Sequence, residues 1–285
     1  MKPIGRRQFL LGSAGLVGLG ALSQVAGLRS VLAKRDNIDS KSPVSKAAVK
    51  DGFDTIVDPS KKFGLVIDVG ACIGCRTCMW ACKEENNTPD TVSPLWIEVF
   101  QLPSETDLTG HPPYSDLREG ATTSYTQSPQ EDKWYMPVGC FHCDNAPCVK
   151  VCPTGATYKS SDGLVLMDYQ KCVGCRLCVV ACPYSSRRFN WHKPSGHPAT
   201  QNDLVPNRPM GVAEKCTLCV HRIRRGKLPR CVEVCPVQAR HFGDLKDPHS
   251  EVSQLLKQNM GFRLLEEMNT QPSVRYIVRG KKWLP

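Results

Sequence analysis

Aromatic residues are scarce in this chain, with Phe, Trp and Tyr making up 7% of its 285 residues. So few large rings supply little core material, so something besides hydrophobic burial must help organise a length sufficient for one large or two small domains. Phosphate loops, dinucleotide fingerprints and serine-histidine-acid sets are missing, which removes nucleotide-dependent and nucleophilic hydrolytic chemistry. After residue 33 no apolar run approaches the about 20 residues of a spanning helix, so that part of the chain does not cross a bilayer as a helix. No cysteine stands alone.

What the chain has instead is 16 cysteines and 22 prolines. The cysteines fall into four tight groups: Cys72, Cys75, Cys78 and Cys82; Cys140, Cys143, Cys148 and Cys152; Cys172, Cys175, Cys178 and Cys182; and Cys216, Cys219, Cys231 and Cys235. Groups one and three read C-x2-C-x2-C-x3-C, and groups two, three and four end in Cys-Pro, at Pro153, Pro183 and Pro236. Three cysteines this close can wrap one face of an iron-sulfur cubane, while the fourth, turned away by the proline, reaches another cluster. Gly74 and Gly174 sit inside the two tight loops, where a missing side chain lets the backbone curl around a cluster. Zinc suits paired C-x2-C units but leaves the third and fourth cysteines of groups one and three without a role. Disulfides between neighbours two or three residues apart would be strained.

The unit is repeated. "FGLVIDVGAC" leads into group one and "DGLVLMDYQKC" into group three, with Asp68 and Asp168 each four residues before the first cysteine. This pattern predicts a short strand feeding each site. "PTGATY" and "PVQARHF" after groups two and four predict one exit turn used twice. Only 19 residues separate groups two and three, the compact arrangement of a bacterial two-cluster ferredoxin. The crossing rule then joins Cys140, Cys143 and Cys148 to Cys182, and Cys172, Cys175 and Cys178 to Cys152. Groups one and four would close around that module as Cys72, Cys75 and Cys78 with Cys235, and Cys216, Cys219 and Cys231 with Cys82.

The formal charge of +10 suggests nucleic acid, but four of the 37 basic residues, Lys2, Arg6, Arg7 and Arg29, lie in a candidate leader, and without them the excess over 27 acidic residues is +6. Four oxidised clusters with their thiolates would contribute roughly −8. The basic excess therefore reads as compensation for buried anions, not as a nucleic-acid surface.

The leader begins "GRRQFLLGSAGLVGLGAL", with Arg6 and Arg7 ahead of an uncharged run from Phe9 to Leu28 that contains five glycines. It resembles a twin-arginine (Tat) signal, which implies export of an already folded protein, with cleavage expected after Ala33. An uncleaved anchor is the alternative. The mid-chain pair Arg187-Arg188 has no apolar run behind it and is no signal.

Between the groups, Leu95 to Phe100 and Lys133 to Val138 read as strands flanking a polar loop from about Leu102 to Asp132, which touches a partner or, preferably, is solvated. Arg222, Arg224, Arg225, Lys227 and Arg230 crowd the stretch between Cys219 and Cys231, as a docking patch or, preferably, as a wet face balancing cluster charge. His142 lies inside a complete cysteine group, so a contact to a ligand or surface exposure fits it better than ligation. Trp80 and Tyr169 read as packing near ligands. Ser250 to Met268 has helical spacing broken near Gly261, and "VRYIVRG" after it reads as a strand, together a tail packed on this protein or a neighbour.

The groups, their order, and the phrases "CDNAPCVKVCPTGATYK" and "CVGCRLCVVACPY" resemble the electron-transfer subunit of complex iron-sulfur molybdoenzymes such as dimethyl sulfoxide, polysulfide and tetrathionate reductases, from about Phe63 to Phe242. The resemblance implies an α+β fold of nested ferredoxin-like modules around four [4Fe-4S] clusters held by the sixteen cysteines in the pairing above. Some relatives carry tryptophan in group three and hold a three-iron cluster; Cys175 and Cys178 are both present here. One departure is Lys83, where a proline would follow Cys82. The expected organisation is a signal over 1–33, a linker over 34–62, and a first ferredoxin-like segment over 63–139 with the insertion at 102–132. An inner two-cluster module over 140–190, a closing segment over 191–243 and a tail over 244–285 follow. The family's role is a non-catalytic wire with no small-molecule substrate of its own, periplasmic, between a quinone- or quinol-reactive membrane subunit and a molybdopterin subunit or, in related complexes, a multihaem cytochrome. A structural metal-binding module is the rival of another class.

Overall fold

Residues 57–106, 108 and 121–280 are described by the computed structural model. The chain divides into two units, Met1–Ala47 and Ala48–Pro285, and every described residue belongs to the second. The expected signal over 1–33, most of the linker over 34–62 and the middle of the 102–132 insertion lie outside the described residues.

The run FGLVID forms β1 (Phe63–Asp68), and all six of its residues are buried. A strand this apolar needs cover on both edges and both faces. β8 (Arg240–Asp244) pairs with it antiparallel, placing Leu65 opposite Phe242, and β9 (Val274–Ile277) pairs parallel, placing Leu65 opposite Val274. Phe63 stacks on Phe242 at 5.4 Å. On one face lies α6 (Glu251–Gln258), capped by Ser250, whose hydroxyl accepts the Ser253 N–H. Its buried Val252 and Leu255 meet Val66 and Ile277. The tail thus packs on this chain, and the helix stops before Gly261, with only a 3-10 turn at Glu266–Met268.

A hairpin pairs β2 (Glu98–Pro103) with β3 (Lys133–Val138). The expectation of a strand from Leu95 is corrected: Trp96 turns inward so that its Nε1 donates to Glu214 at 2.9 Å, while the Leu95 carbonyl accepts from Arg188 Nε at 3.1 Å. With its side chain and carbonyl so engaged, this stretch starts pairing only at Glu98, and the strand runs on to Pro103. Two short ladders complete the set, β4 (Thr157–Lys159) with β5 (Val165–Met167) and β6 (Arg188–Phe189) with β7 (Ala213–Glu214). The strand entering group three therefore pairs with the one leaving group two, as the strand entering group one, β1, pairs with the one leaving group four, β8.

The few aromatics are concentrated where they count. Trp96, Tyr135, Phe141, Tyr184 and Tyr276 are all fully buried, and Phe141 meets Tyr184 at 4.1 Å and Tyr276 at 6.1 Å. Polar ties do the rest: Arg208 and Glu214 form a buried ion pair at 2.7 Å, and Arg208 also donates to the Asn86 carbonyl at 2.7 Å. Removing one partner strands a buried charge, so Glu214→Ala is expected to cost about 3–5 kcal/mol. Glu214→Gln, which keeps an acceptor for Trp96, should cost less; urea denaturation followed by circular dichroism distinguishes them.

Candidate metal centres

Groups one and three fold alike because the same residues bend the backbone at the same places. Gly74 and Gly174 have φ of +71° and +69°, and Arg76 and Arg176, two residues on, have φ of 59° and 61°. A Cβ on Gly74 would stand 2.2 Å from the Tyr135 ring, and one on Gly174 would stand 2.3 Å from the Gly211 carbonyl oxygen. Only glycine fits either place. After each loop a helix carries the third cysteine inward: α1 (Thr77–Glu85) buries Cys78, and α3 (Leu177–Val180) buries Cys178.

The Lys83 departure has a structural counterpart. α3 ends two residues before Cys182-Pro183, and α2 (Pro147–Lys150) and α5 (Arg230–Glu233) end two residues before Cys152-Pro153 and Cys235-Pro236. Proline disfavours the helical conformation at the residue before it. With Lys83 in its place, α1 continues to Glu85 and Cys82 is presented from within the helix, fully buried.

The structure brings cysteines of different groups together. Cys72, Cys75, Cys78 and Cys235 line one hollow, and Cys152, Cys172, Cys175 and Cys178 line another. Cys82 lies within electrostatic reach of Cys216, Cys219 and Cys231, and Cys143 of Cys140, Cys148 and Cys182. Successive sets lie within electrostatic reach of one another, Cys78 of Cys231, Cys216 of Cys140, and Cys178 of Cys148, which orders the four as a row. At the two ends of the row Cys75 and Cys175 are exposed, whereas Cys82, Cys219, Cys231, Cys143 and Cys148 in the middle sets are buried.

All sixteen thiols are free. Among the described residues no group of three or more His, Cys, Asp or Glu side chains is arranged to hold a single metal ion. Four sulfurs around one hollow suit a polynuclear cluster. Backbone N–H groups point at the sulfurs as such clusters need: Leu218 at Cys216 (3.3 Å), Thr157 at Cys152 (3.4 Å) and Ala239 at Cys235 (3.2 Å). The last two belong to the paired exit turns. Asn86 Nδ2 lies 3.6 Å from Cys82 Sγ and 3.7 Å from Cys219 Sγ. Burial pushes the thiols of Cys72, Cys78 and Cys216 up to about 12, 11 and 12, respectively. Cys152 goes down although burial opposes it, because the N–H groups of Thr157, Thr154 and Ala156 face its sulfur. A buried thiol of this kind becomes an anion only against a cation such as iron, and the residues present fit that demand.

The other residues singled out from the sequence take several places. His142 is fully buried, its Nδ1 accepts the Val165 N–H at 3.1 Å, and burial holds it well below the usual histidine range. Tyr169 packs half-buried against the main core, whereas Trp80 is 56% exposed with Lys83 above its ring. The wet-face reading of the basic stretch, which opens with α4 (Val220–Ile223), is corrected in part: Arg224 is buried and ion-paired with Asp162 at 2.8 Å, and Arg222 pairs with Glu85 and Glu233. The solvated reading of the 102–132 loop is corrected likewise for its described end. Tyr125 is buried, donates its hydroxyl to the Gly74 carbonyl at 2.6 Å, and carries the Arg76 guanidinium 3.7 Å above its ring. Sequence reasoning passed over Asn86, Arg187, Lys215 and Arg240, which reach the cysteine sets from outside the motif spacing. The one signal for them was charge or amide at the flank of a cysteine group.

Comparison with known proteins agrees with this geometry. Residues 132–197 and 202–245 match the 4Fe-4S dicluster domain family. The chain is 45% identical to a dimethyl sulfoxide reductase iron-sulfur subunit, described as putative, from Halobacterium salinarum, over 75% of this chain and 78% of that one. It is 33% identical to a subunit of the selenate reductase of Mesobacillus selenatarsenatis, over 97% of this chain and 98% of that one. A third relative, the iron-sulfur cluster-binding subunit of a menaquinone reductase of Nitratidesulfovibrio vulgaris, is 36% identical over 78% of this chain and 91% of its own length.

Proposed function

The chain belongs to the iron-sulfur electron-transfer subunits of the complex iron-sulfur molybdoenzyme family and carries four [4Fe-4S] clusters, and from that premise we propose a wire of four stations running between two partner subunits. Cys72, Cys75, Cys78 and Cys235 hold the first station, and Cys216, Cys219, Cys231 and Cys82 the second. Cys140, Cys143, Cys148 and Cys182 hold the third, and Cys172, Cys175, Cys178 and Cys152 the fourth. Each bound cluster supplies a one-electron redox centre. The chain's own residues position the sulfurs, direct N–H groups at them, and bury the two middle stations. The observation that carries the reading is the row of cysteine sets with exposed cysteines at its two ends alone. The pairing of β1 with β8 outside and β4 with β5 inside supports two nested ferredoxin-like modules.

Partners meet the wire at its ends. A quinone- or quinol-reactive membrane subunit takes one end, on the family's pattern; no described helix is long and apolar enough to cross a membrane. A molybdopterin subunit takes the other, on the family's pattern and the relatives named as reductase subunits. The likeness to a menaquinone reductase subunit favours a second reading, the same wire in a quinone-linked complex whose other partner is a multihaem cytochrome. The resemblance of the first residues to a Tat signal supports a periplasmic location, reached after folding.

Anaerobic purification in mild detergent tests the reading. The expected preparation is brown, contains about 16 iron atoms per chain, and shows four reducible, spin-coupled signals by electron paramagnetic resonance. A molybdopterin subunit in the same preparation supports the reductase; multihaem cytochromes support the second reading. Intact chain that is colourless and takes up no iron, or clusters that cannot be reduced, would sink the wire.

A further inference from the structure

Two arginines are buried in places where no carboxylate meets them. Arg240, 7% exposed at the head of β8, lines the void shared by Cys72, Cys75, Cys78 and Cys235. Its Nε and Nη1 atoms have no hydrogen-bond partner. Within its electrostatic reach lie cysteines of two stations, Cys78 of the first and Cys231 and Cys216 of the second. Arg187, 3% exposed, bonds through Nη1 to the Thr157 hydroxyl and the Met167 sulfur, both of which line the void of the fourth station, each at 3.1 Å. Its Nε and Nη2 have no oxygen or nitrogen partner; Cys148 and Cys140 of the third station and Cys178 of the fourth lie within its electrostatic reach, with Cys148 and Cys178 in hydrogen-bonding contact. Among the described residues neither arginine forms an ion pair with Asp or Glu.

A buried, unpaired guanidinium is costly, and a fold keeps one only against a buried anion. Guanidinium stays protonated at any physiological pH, so its charge is fixed. A cluster gains one negative charge when it accepts an electron, so a nearby fixed cation favours the reduced form and raises the reduction potential. One cation between two clusters raises both potentials together. Lys215, beside Cys216 in sequence, is buried as well, its Nζ bonded to the carbonyls of Val165 and Cys216.

We propose that Arg240 and Arg187 are positioning residues that set the potentials of the clusters in pairs, Arg240 for the first and second stations and Arg187 for the third and fourth. The inference rests on the four-station reading above. Potentiometric titration of the full-length, cluster-loaded protein, followed by electron paramagnetic resonance, tests it. Arg240→Gln should shift two of the four midpoints negative by at least a tenfold change in the one-electron equilibrium, about 59 mV, and leave the other two in place. Arg187→Gln should shift the complementary two. Arg240→Lys and Arg187→Lys, which keep the charge, should stay within that tenfold band. If a glutamine variant fails to take up iron, the equally uncharged methionine variant, Arg240→Met or Arg187→Met, decides by the same measure: two midpoints shifted negative tenfold or more uphold the proposal, and unmoved potentials overturn it. Glutamine variants with full iron and unmoved potentials overturn it as well. Absence of iron from the parent protein itself would instead overturn the four-station reading.

Discussion

Cys152→Ala and Cys175→Ala are expected to damage the same cluster, although one residue lies in group two and the other in group three. The two side chains line one void with Cys172 and Cys178. The double variant should therefore lose no more than either single variant: one resonance signal altered, three intact. Cys152→Ala with Cys143→Ala should alter two signals, since Cys143 faces Cys140, Cys148 and Cys182. Non-additivity between distant positions in sequence is the mark of a shared site. Electron transfer should fall steeply in all of these, because in a row of four each station is the only route past itself. Two altered signals in Cys152→Ala with Cys175→Ala would mean that each group keeps its own cluster and would end the crossed assignment.

Much of this was legible in the cysteine spacing, because C-x2-C-x2-C-x3-C constrains the backbone locally and leaves few other uses for the sulfurs. The strands before groups one and three were legible for the same reason, as short apolar runs that end at Asp68 and Asp168. What escaped was long-range. Trp96 leaves its expected strand because Glu214, 118 residues on, holds its indole N–H. Tyr125 leaves its expected solvated loop because the Gly74 carbonyl needs a donor and Tyr135 offers a ring 5.4 Å away. Arg187-Arg188, dismissed as a false signal, separates into two roles: Arg188 pairs with Glu98 at 2.6 Å, while Arg187 turns inward to the thiolates. Periodicity reports which face a side chain takes, but the partner that gives a buried charge its reason comes from another part of the chain.

Arg6→Lys combined with Arg7→Lys is expected to hold cluster-loaded protein in the cytoplasm, with the exported fraction falling by roughly an order of magnitude. The substitution keeps both positive charges, so a signal that requires only charge ahead of an apolar run would be unaffected. If the chain takes the proposed route, the reason for a gate that accepts folded cargo lies in the sulfur chemistry. Sixteen free thiols, several pushed well up by burial, are stable as cluster ligands but not as side chains of an unfolded chain entering an oxidising compartment. Crossed ligation sharpens the point. Cys235 must find Cys72 across more than half the sequence, and a chain threaded outward from its N-terminus would expose group one to oxidation long before group four emerged. Fractionation with iron analysis of both compartments reads the outcome, and normal delivery of the double lysine variant would count against export by the folded route.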